Sequence, residues 1–155
     1  MDDKLEHLLQ QEQELQFNNF NEVTAWQIGN LLVEHAMSQH YPITIDITRG
    51  EHQLFHASLH GSSADNDEWI KRKVRVVYRF EHSSFYMGQL LKSKGKSIEE
   101  AYLIPEHLYG PHGGSFPIIL RDSGVIGAIT VSGLTQEEDH RLVVDAIRNY
   151  LAQVK

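Results

Sequence analysis

The 155-residue chain contains no cysteine. That excludes a disulfide framework, a thiolate nucleophile and any zinc or iron–sulfur site built on cysteine, and nothing calls for an oxidising compartment. No run approaches 18 apolar residues, so no segment reads as a membrane span. Only 4 prolines and 11 glycines interrupt the chain, and 41% hydrophobic with 23% charged residues excludes collagen-like, low-complexity and disordered classes. Bases are scarce in one half: residues 1–68 hold 12 acids and 2 bases, residues 69–155 hold 9 acids and 12 bases, so the net −7 divides into −10 and +3. An acidic whole argues against non-specific nucleic-acid binding and leaves only a local basic patch for an anionic partner. The opening MDDKLEHLLQQEQEL has acids where a signal peptide has bases, which leads to the expectation of a cytoplasmic protein. The length predicts one domain over residues 1–155.

Two helices are predicted first. Leu5, Leu8, Leu9 and Leu15 recur at roughly helical spacing, Asn18 and Asn19 interrupt, and Asn19 or Asn21 caps a second helix that runs to about His40 with Trp26, Ile28, Leu32 and Met37 among its apolar residues. From Ile43 the period falls to 2, and the Arg49-Gly50 turn makes residues 43–59 a hairpin. Residues 63–82 fit strand or helix by period, while the Ser63 to Glu68 opening, with its caps and first-turn acids, favours helix. Short helices are expected from about Ser84 and after Ser97. Pro105 to Pro117 holds three prolines and three glycines in 13 residues and reads as a loop. A second hairpin turns at Asp122-Ser123-Gly124, and Thr135 with Glu138 forms a capping box before a closing helix. The sum is an α+β fold with an antiparallel sheet of about five strands flanked by helices.

The motifs GGSFPI (113–118), VIGAITVSGL (125–134) and QEEDHRLVVDAI (136–147) resemble the haem-degrading-domain superfamily typified by the GlcG and HbpS proteins. NDEWIKRKVRVVYRFEHSS (66–84) and FYMGQLL (85–91) more narrowly resemble the UPF0303 family within it. The resemblance implies a profilin-like α/β/α sandwich, a helix over 63–82, homo-oligomers of two or more copies, and haem or another tetrapyrrole as the ligand to test.

Several side chains are candidates for chemistry. His52, His56 and His60 would share a helix face, but on a strand at ~3.3 Å per residue neighbours stand about 13 Å apart, too far to share a metal that needs ligands at ~2 Å. No metal set is therefore assigned, and a solvated polar strand face is the reading. In the glycine-rich loop His112, with Gly113 and Gly114 behind it and His107 and Tyr109 beside it, offers an imidazole next to backbone N–H groups that can cradle an anion; shaping of the loop is the plainer alternative. Lys71, Arg75 and Arg79 fall at i, i+4 and i+8 among five bases in nine residues, a face suited to a carboxylate, a phosphate or an acidic subunit surface, or simply to solvent. Glu137, Glu138 and Asp139 read as first-turn carboxylates at a helix dipole. Trp26 and Trp69 read as core or interface residues.

No G-x-S-x-G elbow, phosphate loop or dinucleotide fingerprint is present, and no catalytic residue is assigned. The leading expectation is a cytoplasmic homo-oligomer that binds a small ligand without catalysis. A haem-degrading or other enzyme using His112 as acid or base, and an adaptor acting through its oligomer surface, stay open beside it.

Overall fold

The computed structural model describes residues 3–154. Helix α1 (Asp3–Glu14) precedes α2 (Glu22–Gln39), whose start is fixed by reciprocal bonds between Asn21 and Thr24. It ends at His40, which adopts the left-handed conformation. The hairpin β1 (Thr44–Arg49) and β2 (His52–Ser58) follows, turning at Gly50 with φ of 61°. Then come α3 (Ala64–Phe80), α4 (Ser84–Lys94) and α5 (Ile98–Tyr102), capped by Ser63, Ser83 and Ser97. A second hairpin, β3 (Ser115–Leu120) and β4 (Gly124–Ser132), leads into α6 (Gln136–Gln153), which starts on the Thr135–Glu138 capping box. Of the ambiguous residues 63–82, those from 64 to 80 are thus helical, with Ser63 and Glu81 as the caps.

The sheet has four antiparallel strands in the order β2-β1-β4-β3, not about five. The two hairpins join through β1 and β4, with Thr44 opposite Ser132 and Arg49 opposite Gly127. A fifth strand does not form: among the described residues the only further pairing beside β3 is one parallel bridge from Phe17 to Leu120. There the Phe17 N–H donates to the Ile119 carbonyl and the Arg121 N–H to the Phe17 carbonyl. Pro117 is tolerated in β3 because an edge strand does not need every N–H in the ladder.

Ile43, Ile45 and Ile47 alternate with Thr44, Asp46 and Thr48, so β1 gives each face of the sheet a different chemistry. One face is apolar. Ile45, Ile47, Phe116, Ile118, Ile129 and Val131 pack there against Ile28 and Leu32 of α2 and Val143 and Ile147 of α6, all buried. The other face meets α3 through polar pairs: Asn66 donates to Ser132, and Tyr78 shares a hydrogen bond with Thr48 at 2.6 Å; within the sheet Ser115 of β3 shares one with Thr130 of β4 at 2.9 Å. A second apolar cluster lies beyond α3, where Leu5 and Leu8 of α1 meet Val76, Phe85, Met87, Leu91 and Ile98. Helices on both sides of the sheet make the α/β/α sandwich.

Candidate functional site

The segment from Pro105 to Gly114 is tied down by α3. Arg72 Nε donates to the His107 carbonyl, Arg75 Nη1 to the Leu108 carbonyl, and the Gly110 N–H returns a bond to the Arg72 carbonyl. The Arg79 guanidinium stacks between the rings of Phe80 and Tyr109. The basic helix therefore grips this loop through backbone carbonyls and aromatic faces. Lys71 stays outside, exposed and paired with Glu68 at 2.9 Å.

Glycine allows the loop to sit where it does. A Cβ on Gly88 of α4 would lie 2.1 Å from the Pro111 carbonyl oxygen, and one on Gly113 would lie 2.2 Å from the Gln136 carbonyl oxygen. The Gly113 N–H donates to Gln136 Oε1 and the His112 N–H to the Gly110 carbonyl. With these donors engaged inside the protein, the imidazole is what the loop offers outward.

His112 is exposed at the mouth of a cleft of about 480 Å³. Trp69 of α3 and Tyr109 form aromatic wall; Gly88, Gln89 and Lys92 of α4 stand among the other linings, with Lys4 and Lys96. The Trp69 ring meets the His112 ring edge to face, with centroids 5.6 Å apart. Desolvation in the cleft, and then the charge of Lys73, hold the His112 imidazole below its ordinary range, so it is neutral with a lone pair to offer at pH 7. A larger groove of about 650 Å³ lies beside Gln13 to Asn19 with Arg121 and Arg148, but it gathers no imidazole and only one carboxylate, Glu14.

Behind His112 a second recess of about 360 Å³ is lined by Trp69, Asn66, Ser132, Lys73 and Asp139. Lys73 Nζ donates to Asp139 Oδ2 at 3.2 Å and to the Val131 carbonyl at 3.1 Å. Asp139 also accepts the N–H groups of Gly133 and Leu134. Burial pushes the Lys73 amine down and the Asp139 carboxyl up, and the attraction between the two opposes both shifts. Asp139 is thus more than a dipole carboxylate: it ends β4 and fastens α3 to α6.

Of the residues picked from sequence, His112 and Tyr109 line the cleft, while Gly113 and Gly114 form its backing. Arg75 and Arg79 brace it from outside, His107 contributes only its carbonyl, and Lys71 takes no part. The sequence marks Trp69 as a core or interface residue and Lys73 only as one of five bases, and it does not single out Lys92 or Lys96. Trp69 is three residues from Arg72, whose guanidinium lies over its ring, so the i, i+3 spacing was the available signal. His52, His56 and His60 do not converge. All three are exposed, as a solvated polar strand face requires, and His56 Nδ1 lies 2.9 Å from Asp46 Oδ1 on the α3 side of the sheet. Among the described residues no group of three or more His, Asp or Glu side chains is arranged to hold a metal ion.

With this geometry in place, residues 20–148 match the family model described as haem degrading protein HbpS-like. The chain belongs to that family. Within it a UPF0303 protein of Streptomyces coelicolor is 47% identical over 146 residues, covering 94% of this chain and 92% of the relative. The crystal structure of Ybr137w protein superimposes with a TM-score of 0.89 at 33% identity, over 97% of this chain and 90% of that one. The PduOC:Heme complex superimposes with a TM-score of 0.67 at 18% identity, over 84% of this chain and 92% of that one, a likeness of fold.

Proposed function

We propose that this HbpS-like chain, as one domain over residues 1–155, binds a flat anionic ligand, a tetrapyrrole such as haem, in the cleft at His112 and does so without catalysis. The neutral His112 imidazole at the mouth of an aromatic-walled cleft carries the reading. At about 480 Å³ the cleft falls in the size range of ligand pockets, roughly 300–1,000 Å³. Trp69 and Tyr109 offer ring faces and edges to a planar macrocycle, and Lys92 and Lys96 offer ammonium groups to its carboxylates. These residues fit the group: His112 would meet the metal of a haem as a neutral nitrogen donor, and bound haem would supply redox chemistry that the side chains lack. The family description and the haem in the PduOC structure support the same class of ligand. Homo-oligomerisation and residence in the cytoplasm belong to this proposal as well, the second resting on sequence expectation alone.

Titration of the protein with haemin, followed at the Soret band, tests it. Wild type should give a saturable shift whose position or affinity changes in His112→Ala. A titration that does not saturate, or one identical in the variant, overturns the site. Loss of the Soret band on adding reductant and oxygen, at a rate that depends on His112, overturns the non-catalytic clause and returns the enzyme reading.

A further inference from the structure

Helix α2 is apolar on its outer side as well as its inner one. Ile28, Leu32 and Ala36 are buried against the sheet, yet Val23, Trp26 and Met37 on the outer side are 62, 61 and 62% exposed. With Val154, which follows the neighbouring α6, these make four of the seven exposed large apolar side chains among the described residues. Large apolar side chains gathered on one exposed stretch of surface mark a face that a partner covers.

The outer residues are also spaced in a particular way. Val23, Asn30 and Met37 are seven residues apart, and Trp26 and Val33 stand between them, so positions 23, 26, 30, 33 and 37 follow the 3-and-4 alternation of a helix-packing seam. Asn30 lies at the centre of α2, with Val23 and Met37 equidistant from it. A stripe with that symmetry is complementary to itself when a copy is turned end for end. The geometry points to α2 as a two-fold interface between two copies of this chain, with the helices antiparallel and crossing at Asn30. This rests on the reading of the chain as a homo-oligomer and names the surface that makes it one.

The two-fold brings Val23 against Met37 of the partner subunit and Trp26 towards the partner's Val33. Asn30 meets the partner's Asn30, where each amide has both a donor and an acceptor to give, the polar pair that fixes register in helix seams. Charge permits this contact where the acidic net charge would oppose others. Helix α2 has only two formal charges, Glu22 and Glu34. Glu22 is engaged by Arg49, and the two-fold carries Glu34 towards residue 26 instead of its own copy. Beside Asn30 a recess of about 460 Å³, lined by Leu31, Tyr150 and Val154, leaves room for side chains of the second copy. An 18-residue helix is about 27 Å long and, with the flanking turn of α6, about 20 Å wide, so the face covers on the order of 500 Å² per copy. The total, about 1,000 Å², is what a specific interface needs at minimum, and it predicts a dimer that dissociates on dilution.

Sedimentation velocity over a range of concentrations, with two kinds of variant, tests the assignment. Wild type should associate, and Val23→Glu with Met37→Glu should raise the dissociation constant at least 100-fold while leaving the helical circular dichroism unchanged, because both side chains are exposed. Asn30→Cys introduces the only thiol in the molecule, and on mild oxidation it should give a disulfide-linked dimer on a non-reducing gel. A wild type that is monomeric at every concentration overturns the oligomer reading and the seam together. A wild type that associates, with charge variants of unchanged size and an Asn30→Cys chain that stays monomeric, overturns the seam alone.

Discussion

At the scale of single residues, Lys73 decides more than the bases around it. Its side chain is 5% exposed and that of its partner Asp139 is 3% exposed. Removing one member of a buried pair strands the other as an uncompensated charge, at a cost of about 3–5 kcal/mol, so Lys73→Met should lower the urea midpoint by a corresponding amount. Lys73→Met combined with Asp139→Leu should recover part of that loss, which urea denaturation of the single and double variants checks. Sequence spacing identified a basic helix and a shared face for Lys71, Arg75 and Arg79, but spacing is silent about which face meets the sheet. Arg72 and Lys73 are adjacent in sequence, yet one reaches the loop and the other is buried beneath Gly114. His112 was legible because its neighbours are glycine and proline. Trp69 and Lys92 were not, since sharing a cleft with His112 depends on how α3 and α4 pack.

At the scale of elements, caps and periods were good guides. Asn21, Ser63, Ser97 and Thr135 each carry a side chain that accepts a backbone N–H of the first turn, and each begins a helix. The sheet was over-counted because strand period marks residues able to pair, whereas a fifth strand also needs a length of chain beside β3, and only Phe17 lies there. The packing of the 105–114 loop against α4 was invisible in sequence, because it depends on one glycine of a helix that otherwise reads as ordinary. Gly88→Ala would place a methyl group 2.1 Å from the Pro111 oxygen. Carbonyl backbone cannot yield as a flexible side chain can, so the loop should be displaced from α4 and overpacking of about 1–3 kcal/mol should appear in thermal melts. The same variant should weaken haemin binding in the Soret titration, since Gly88 and Pro111 both line the cleft.

At the scale of the whole molecule, the uneven charge found in the sequence is resolved mainly by local contacts. The arginines of α3 engage carbonyls and rings, its Lys71 and Lys73 pair with Glu68 and Asp139, and α1 is tied to the body by two histidines. His82 Nδ1 lies 2.7 Å from Glu12 Oε1, and His140 Nε2 lies 2.8 Å from Gln11 Oε1. The two respond to pH in opposite senses. The hydrogen bond with Glu12 raises His82, so its contribution is complete below 6.5 and is lost as pH rises through the folded value above that. Burial lowers His140 from 6.5 to about 4, so the unfolded chain takes up its proton first. Its contribution is complete above 6.5 and is lost as pH falls towards 4, an acid loss of about 3 kcal/mol. Urea midpoints measured between pH 8 and 4 should fall on the acid side, and His140→Phe should flatten that fall by removing the group that titrates. His82→Ala should cost stability at pH 5.5 and little at pH 9.

The strand order β2-β1-β4-β3 also governs when the molecule can come into being. Each hairpin is local, but β1 meets β4 across a separation of 78 residues between Arg49 and Gly127. Contacts so distant in sequence are formed slowly, because the intervening chain must be gathered before they yield any return. On a nascent chain β1 has one flank without its partner until β4 has been made, and α6, which roofs the apolar face, comes after β4. Synthesis must therefore run past α3, α4 and α5 and through β4 before this sheet closes, and a ribosome stalled anywhere in α3 would hold out a hairpin whose isoleucines have only α2 for cover.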